Sequence, residues 1–288
     1  MLISTQVAFV KKHLKEARKL SKTTIKNRLG EAGLAWLRRR RKTLVTEAHK
    51  AARLKWADWV LSRTVATLSR WAYTDGTVFY LARDMTEQSS TVRSALGPSL
   101  WRQADGSDAL YEDCVGPSAY WKAQGLPVRI WGLLAAGKFF VHVLPEGETM
   151  NRWYYAWLLE TVFPRWLTAA FGDRYSKVYL LQDHEKALWT AEPRAAMTTA
   201  SLNLLENYPK CSQDLNPIEN MWRELRERLS ATLPEARESR KEFIQRLRNA
   251  VAWVNANRSE YMLHICTSQK ERAHDVKSAV PPGARTKH

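Results

Sequence analysis

Three carboxylates stand out by position. Asp75 lies inside Trp71 to Leu81, WAYTDGTVFYL, a run with the aromatic and β-branched content of a strand. A charge in the middle of a strand is unfavourable unless it is paired or bound to metal, which makes Asp75 a candidate for chemistry. Its nearest rival, Asp84, sits past that strand in the loop-like ARDMTEQ. A short apolar run, Val178 to Leu181, ends in Gln182-Asp183, as expected of a buried strand that delivers a carboxylate at its tip. Glu219 stands at a helix start, with Asn216 as the expected N-cap and Pro217 in the first helical position. Between Asp183 and Glu219 lie 35 residues. Such acids offer hard oxygen donors, which suit Mg²⁺ or Mn²⁺ better than zinc. Each also has a plainer role open to it. Glu219 at the third helical position suits a capping box, and Asp183 suits a strand-end turn.

The elements that must position these acids follow from the pattern. Ile218, Met221, Trp222, Leu225 and Leu229 recur at helical spacing and predict a helix with one apolar face. Val128 to Leu134 and Lys138 to Leu144 flank Ala135-Ala136-Gly137 and predict a hairpin. Glu148 to Ala170 and Thr190 to Ser201 are expected as helices, and Leu202 to Tyr208 as a last short strand. The order strand, hairpin, helix, strand, helix, strand, helix defines a mixed α/β domain whose strand tips can gather Asp75 and Asp183 while the last helix brings in Glu219. Residues 84–127 carry scattered acids, Gly and Pro without a period, and are expected as a surface insertion. From Glu235 to Cys266 the pattern is helical, with Phe243, Ile244, Leu247, Val251 and Val254 inward. From Thr267 onward the chain is polar, contains Pro281-Pro282-Gly283, and is expected to be disordered.

Charge is unevenly placed. Of the net +16, residues 1–60 hold +12 and the remaining 228 hold +4. That asymmetry predicts a polyanion-binding arm on a nearly balanced body. Residues 4–19 predict one helix, and Ser21 is a plausible N-cap for a second from Lys22 to Leu29, ended by Gly30. Two short helices joined tightly make a helix-turn-helix candidate. Lys22, Thr23, Lys26, Asn27 and Arg28 are its expected exposed positions, residue types that meet phosphates and base edges. Arg38, Arg39, Arg40, Arg41 and Lys42 repel one another, so they suit a DNA backbone or minor-groove contact or a nuclear import signal. Cys114, Cys211 and Cys266 form no CxxC or Cys/His pattern, which argues against structural zinc and a disulfide framework and for reduced thiols inside the cell. No stretch approaches 18 apolar residues, so no membrane span is expected, and the first ten residues lack the features of a signal peptide.

With these residues in view, SQDLNPIENMW resembles the S-P-D-L-N-P-I-E-x-x-W signature of mariner/Tc-type transposases, and LQDHEKALWT resembles the segment upstream of it in that family. SKTTIKNRLGEAGL, HKAARLKWA and VRIWGLLAAGKFFVHVLPEG are similar to further family segments, so the resemblance covers roughly Ser21 to Leu229. It implies an RNase H-like catalytic domain, a mixed sheet flanked by helices, preceded by a small helix-turn-helix-like segment. The implied organisation is 1–37 for DNA binding, 38–68 for a basic linker and connecting helix, 69–233 for the catalytic domain, 234–266 for a helical extension and 267–288 for a tail. It further implies that Asp75, Asp183 and Glu219 hold two Mg²⁺ or Mn²⁺ ions, which cut transposon ends and join them to target DNA. The partners implied are double-stranded DNA and a second copy of the chain, and the compartment is the nucleus. Departures from the family pattern are His184 for Asn, Gln213 for Pro, and room for one helix-turn-helix unit rather than two. His184 is expected as a neutral donor behind the acids, and Asp214 as a turn or capping residue. The competing expectations are a decayed or domesticated transposase that binds DNA without cutting, and an unrelated RNase H-like nuclease.

Overall fold

The computed structural model describes residues 21–31, 34–38, 45–81, 99–103, 126–232, 234 and 238–286. The expected first helix, Arg39 to Lys42 and most of the 84–127 stretch lie outside them. The chain divides into two compact units, residues 1–44 with 82–125, and residues 45–81 with 126–288.

In the smaller unit, helix α1 (Lys22–Glu31) starts where the Ser21 hydroxyl accepts the Thr24 N–H at 3.0 Å. It runs through Gly30 instead of ending there. Thr23, Asn27 and Arg28 are exposed and Lys26 is half-exposed, while Ile25 is buried. Strand β1 (Leu34–Arg38) pairs antiparallel with β3 (Ser99–Gln103), Trp36 opposite Trp101. The stretch expected as a plain insertion thus contributes a strand, and Arg38 closes a ladder opposite Ser99.

The larger unit is built on a five-stranded sheet. Its strands are β2 (Trp71–Leu81), β4 (Leu126–Ala135), β5 (Lys138–Val143), β6 (Tyr179–Leu181) and β7 (Asn203–Leu204), in the order β5-β4-β2-β6-β7. The expected hairpin is β4–β5, turning at Ala136 and Gly137, whose φ of +73° suits glycine. β2 runs antiparallel to β4 and parallel to β6, and β7 continues parallel to β6. The expected last strand is only two residues long.

Alternation along the strands sorts two cores. Trp71, Tyr73, Ile130, Leu134 and Phe139 face one way, under helices α2 (Glu47–Leu61), α7 (Ile218–Ala231), α8 (Arg240–Asn257), α9 (Ser259–Thr267) and α10 (Gln269–Ser278). A one-turn helix, α3 (Val65–Leu68), adds Leu68. Ala72, Trp131, Leu133 and Leu180 face the other way, under α4 (Arg152–Trp157), α5 (Phe163–Phe171) and α6 (Ala191–Thr199). The helix expected from Glu148 starts later, because Asn151 Oδ1 caps the N–H groups of Trp153 and Tyr154 at 3.0 Å each. A five-residue π turn, Leu158–Val162, joins α4 to α5 just before Pro164, which has no N–H to give to the turn before it.

The expected disordered tail is a correction. Residues 269–278 form α10, with Ala273 and Val276 buried. Its apolar stripe is only these two side chains. What secures it is Arg272, itself buried, which donates to Ser268 Oγ, the Asp214 carbonyl and Asn220 Oδ1 at 2.7 to 3.0 Å. Helix α2, expected as part of a linker, packs in this larger unit, burying Trp56, Ala57 and Val60.

Candidate active site

Register aligns the strands that lead to the first two acids. β2 and β6 run parallel with Tyr73 beside Leu181. Asp75 lies two residues further along β2, while β6 ends at Leu181 and Asp183 follows two residues past its end. On the other flank of β2, Asp75 pairs with Gly132. A side chain at Gly132 would meet Trp222 Cη2 at 2.4 Å, so the bare backbone there is what lets the α7 indole lie on the sheet. From that seat Trp222 Nε1 donates to Asp75 Oδ2 at 3.2 Å. Trp222, anticipated only as core, therefore also orients an acid.

Glu219 comes from the first turn of α7. Its approach is set by Asn216, which is fully buried. The Asn216 side-chain amide donates to the Thr74 carbonyl at 3.3 Å, and its Oδ1 accepts the Ile218 N–H at 3.4 Å. The helix start is thus tied to the strand one residue before Asp75. The expected capping box is absent: Pro217 takes the cap position, and the Asn216 N–H goes to the Gln213 carbonyl at 3.0 Å instead of to Glu219. The capping alternative for Glu219 is thereby removed.

The three acids feel one another. Burial pushes the Asp75 carboxyl well above the usual range, and the charges of Glu219 and Asp183 push it further. Asp183 is raised to about 7, by burial first and then by Glu219 and Glu185, against the pull of Arg285. Glu219 is raised by burial, while Arg226 and Arg285 draw it back. Asp183 Oδ1 is buried and has no hydrogen-bond partner among the described residues. A buried carboxylate oxygen left bare beside two more acids is costly unless a cation meets it. The donor types suit a hard divalent ion, but among the described residues no group of three or more acidic, His or Cys side chains is arranged to hold one.

Neighbouring residues act as struts. Gln182 is buried, accepts the Tyr155 hydroxyl and donates to the Leu188 carbonyl at 3.2 Å. His184 donates through Nε2 to the Tyr208 carbonyl and stacks on Trp189, 4.5 Å between ring centres. Trp189 Nε1 in turn holds the Asp183 carbonyl at 2.9 Å. The hydrogen bond of His184 is thus to a backbone carbonyl and not to one of the acids. Asp214 does more than turn the chain. Burial would raise its carboxyl, but the two-pronged pair with Arg53, at 2.9 and 2.6 Å, holds it below its ordinary value.

A transposase family model for a Tc3-type helix-turn-helix matches residues 4–61. The chain is 30% identical to the Tcb1 transposable element transposase of Caenorhabditis briggsae over 209 residues, which covers 73% of this chain and 70% of that one. It is 26% identical to the Tc1 transposase of Caenorhabditis elegans over the same shares of each chain. Among solved structures, a pre-cleavage Mos1 transpososome superposes with a TM-score of 0.65 at 16% identity, covering all of this chain and 80% of that one. The catalytic domain of Mos1 mariner transposase gives 0.58 at 17% identity, covering 85% of this chain and 99% of that domain. The likeness shows the RNase H-like fold that the sequence resemblance implies.

Proposed function

Because this chain belongs to the mariner/Tc-type transposases, we propose that it is a DNA endonuclease and strand transferase whose catalytic acids are Asp75, Asp183 and Glu219. The observation that supports this is that β2 and β6 run parallel towards Asp75 and Asp183, and that the charge of Glu219 raises both of these carboxyls. These three would hold two Mg²⁺ or Mn²⁺ ions, and related Mos1 paired-end complexes have been solved with each of these metals. When bound, such ions supply charge neutralisation at the scissile phosphate and ease deprotonation of the attacking hydroxyl. The chain's own residues do the positioning. Trp222 fixes the Asp75 carboxylate, Asn216 fixes the helix that presents Glu219, and Gln182 and Trp189 brace the backbone of Asp183. The substrate is double-stranded DNA, held by Thr23, Lys26, Asn27 and Arg28 of α1, with Lys22 and the basic run Arg38 to Lys42. Two copies would bridge two transposon ends in the nucleus, as the paired-end assembly of Mos1 suggests.

Supercoiled plasmid incubated with the chain and Mn²⁺ tests this directly. Nicking by the parent that disappears in Asp183→Ala and in Glu219→Gln is the expected result. DNA retarded on a gel but left intact by the parent would instead mark a DNA-binding relic.

A further inference from the structure

β5 is an edge of the five-stranded sheet, and both its ends are closed. At its start, one side chain takes both main-chain groups of Phe139. The Phe139 N–H donates to Asn255 Oδ1 at 2.9 Å, and its carbonyl accepts the Asn255 amide at 2.7 Å. Asn255 of α8 thus stands where a neighbouring strand would be. Beyond the far end comes Pro145, which has no N–H. Between these plugs the edge is open. Antiparallel bonding alternates along a strand, and Leu144 fixes the phase, since its N–H donates to the Arg129 carbonyl at 2.9 Å. Even-numbered residues of β5 therefore bond to β4, and odd-numbered ones turn outwards as Phe139 does. The outward N–H and carbonyl groups of Val141 and Val143 have no hydrogen-bond partner among the described residues.

A groove of about 990 Å³ runs along this edge. Trp166 and Ala169 of α5 line one flank, and Leu247 and Val251 of α8 with Leu263 of α9 line the other. Leu263 leaves 54% of its surface in water.

We propose that a second copy of this chain docks on this edge, its β5 pairing antiparallel with this one across a two-fold axis through His142. The inference goes beyond the two-copy assembly on transposon ends proposed above, because it needs neither DNA nor catalysis. Main-chain donors and acceptors at alternate residues are matched by another strand edge. A two-fold axis further requires the patch to match itself, and this one does. With His142 opposite its own copy, Val141 meets the second copy's Val143, and Val143 meets its Val141. Each pair exchanges both of its hydrogen bonds, so every open group is used. The same register sets Phe139 against the second copy's Pro145, which has no N–H to give, and Phe139 is the residue that Asn255 already serves. The neighbouring registers fail. Centring on Val141 sets Val143 against Phe139, whose groups are taken, and centring on Val143 sets Val141 against Pro145. Burial lowers the His142 pKa, so the two rings that meet on the axis are uncharged at pH 7. The apolar flanks of the groove add the burial that a few net hydrogen bonds lack.

The test is the mass of the full chain in solution without DNA, by sedimentation over a concentration series, for the parent, Val141→Pro and Leu263→Glu. Proline is tolerated on an edge strand where the lost N–H points outwards. Here it removes one bond from each copy. The parent is expected at twice the chain mass when concentrated and to dissociate on dilution. Val141→Pro should move the dissociation midpoint up by about tenfold or more, the scale of two net hydrogen bonds. Leu263→Glu, which leaves β5 untouched, should move it the same way. Both variants should keep the parent's thermal midpoint when compared as dilute monomers, and amide exchange at Val141 and Val143 should slow as the parent is concentrated. A parent that stays monomeric throughout overturns the proposal, including one that captures an extended peptide of another protein at this edge. So does a dimer that Val141→Pro leaves intact, or one whose Val141 and Val143 amides exchange no more slowly than in the monomer. If Val141→Pro lowers the thermal midpoint, the amide exchange of the parent decides. Plasmid nicking is read separately, so a failure of the nuclease reading leaves this result standing.

Discussion

Asp183 ionises near 7 in the folded chain against an ordinary value of 3.8. Folding therefore favours its protonated form. The resulting penalty is absent below about pH 3.8, grows as pH rises towards 7, and is complete above that. Burial is the first cause and the neighbouring acids the second, and the cations proposed for these acids would offset the penalty. Asp183→Asn has no proton to lose. In chelator, it should unfold at higher urea than the parent at pH 8, with the gap closing towards pH 4. A parent as stable as the variant at pH 8 would contradict the burial argument. Trp222 shows a second residue-scale device: one indole fills the apolar core and spends its single polar atom on Asp75.

At the scale of elements, α7 must meet the sheet at one height for Glu219 to reach the strand acids. Its apolar face, Ile218 through Leu229, supplies adhesion, but apolar contact alone tolerates sliding. Asn216 removes that freedom by bonding to Thr74 on β2. Asn216→Ala is expected to cost about 1–3 kcal/mol in urea unfolding, because the buried Thr74 carbonyl loses a side-chain donor. Nicking should fall further than global stability accounts for, since the helix start would no longer be pinned beside Asp75. Equal plasmid cleavage by the variant and the parent would show that α7 is placed by its apolar face alone.

For the whole molecule, charge and chemistry are separated along the chain. The first 60 residues hold +12 of the net +16, while the acids lie in the sheet-based unit. Binding energy and strand cleavage should therefore come apart. Replacing Lys22, Lys26, Arg39, Arg40 and Arg41 with Gln should weaken duplex binding most at low salt and flatten its salt dependence, with the thermal midpoint unchanged. Undiminished affinity across the salt series would place the DNA-binding surface elsewhere. No helix among the described residues is long and apolar enough to cross a membrane.

The sequence by itself determined which residue types could do the chemistry. A charge inside a strand pattern, an acid at the end of a four-residue apolar run, and a glutamate opening an amphipathic helix are all local signals, set by periodicity of 2 and 3.6. The hairpin, the sheet-covering helices and the inward face of α7 were legible for the same reason, and so was most of that of α8, where Ile244 is only half-buried and Ala250 is in the core. Tertiary structure decided the rest. The β2–β6 pairing depends on contacts more than 100 residues apart, and it runs the strands that lead to Asp75 and Asp183 in parallel. The Asn216–Thr74 bond, the room that Gly132 leaves for Trp222, and the Arg53–Asp214 anchor each join segments far apart in the chain. The polar segment after Thr267 has too narrow an apolar stripe to announce a helix. It orders through buried arginines whose partners lie elsewhere in the fold, and such partners leave no periodic trace in a sequence.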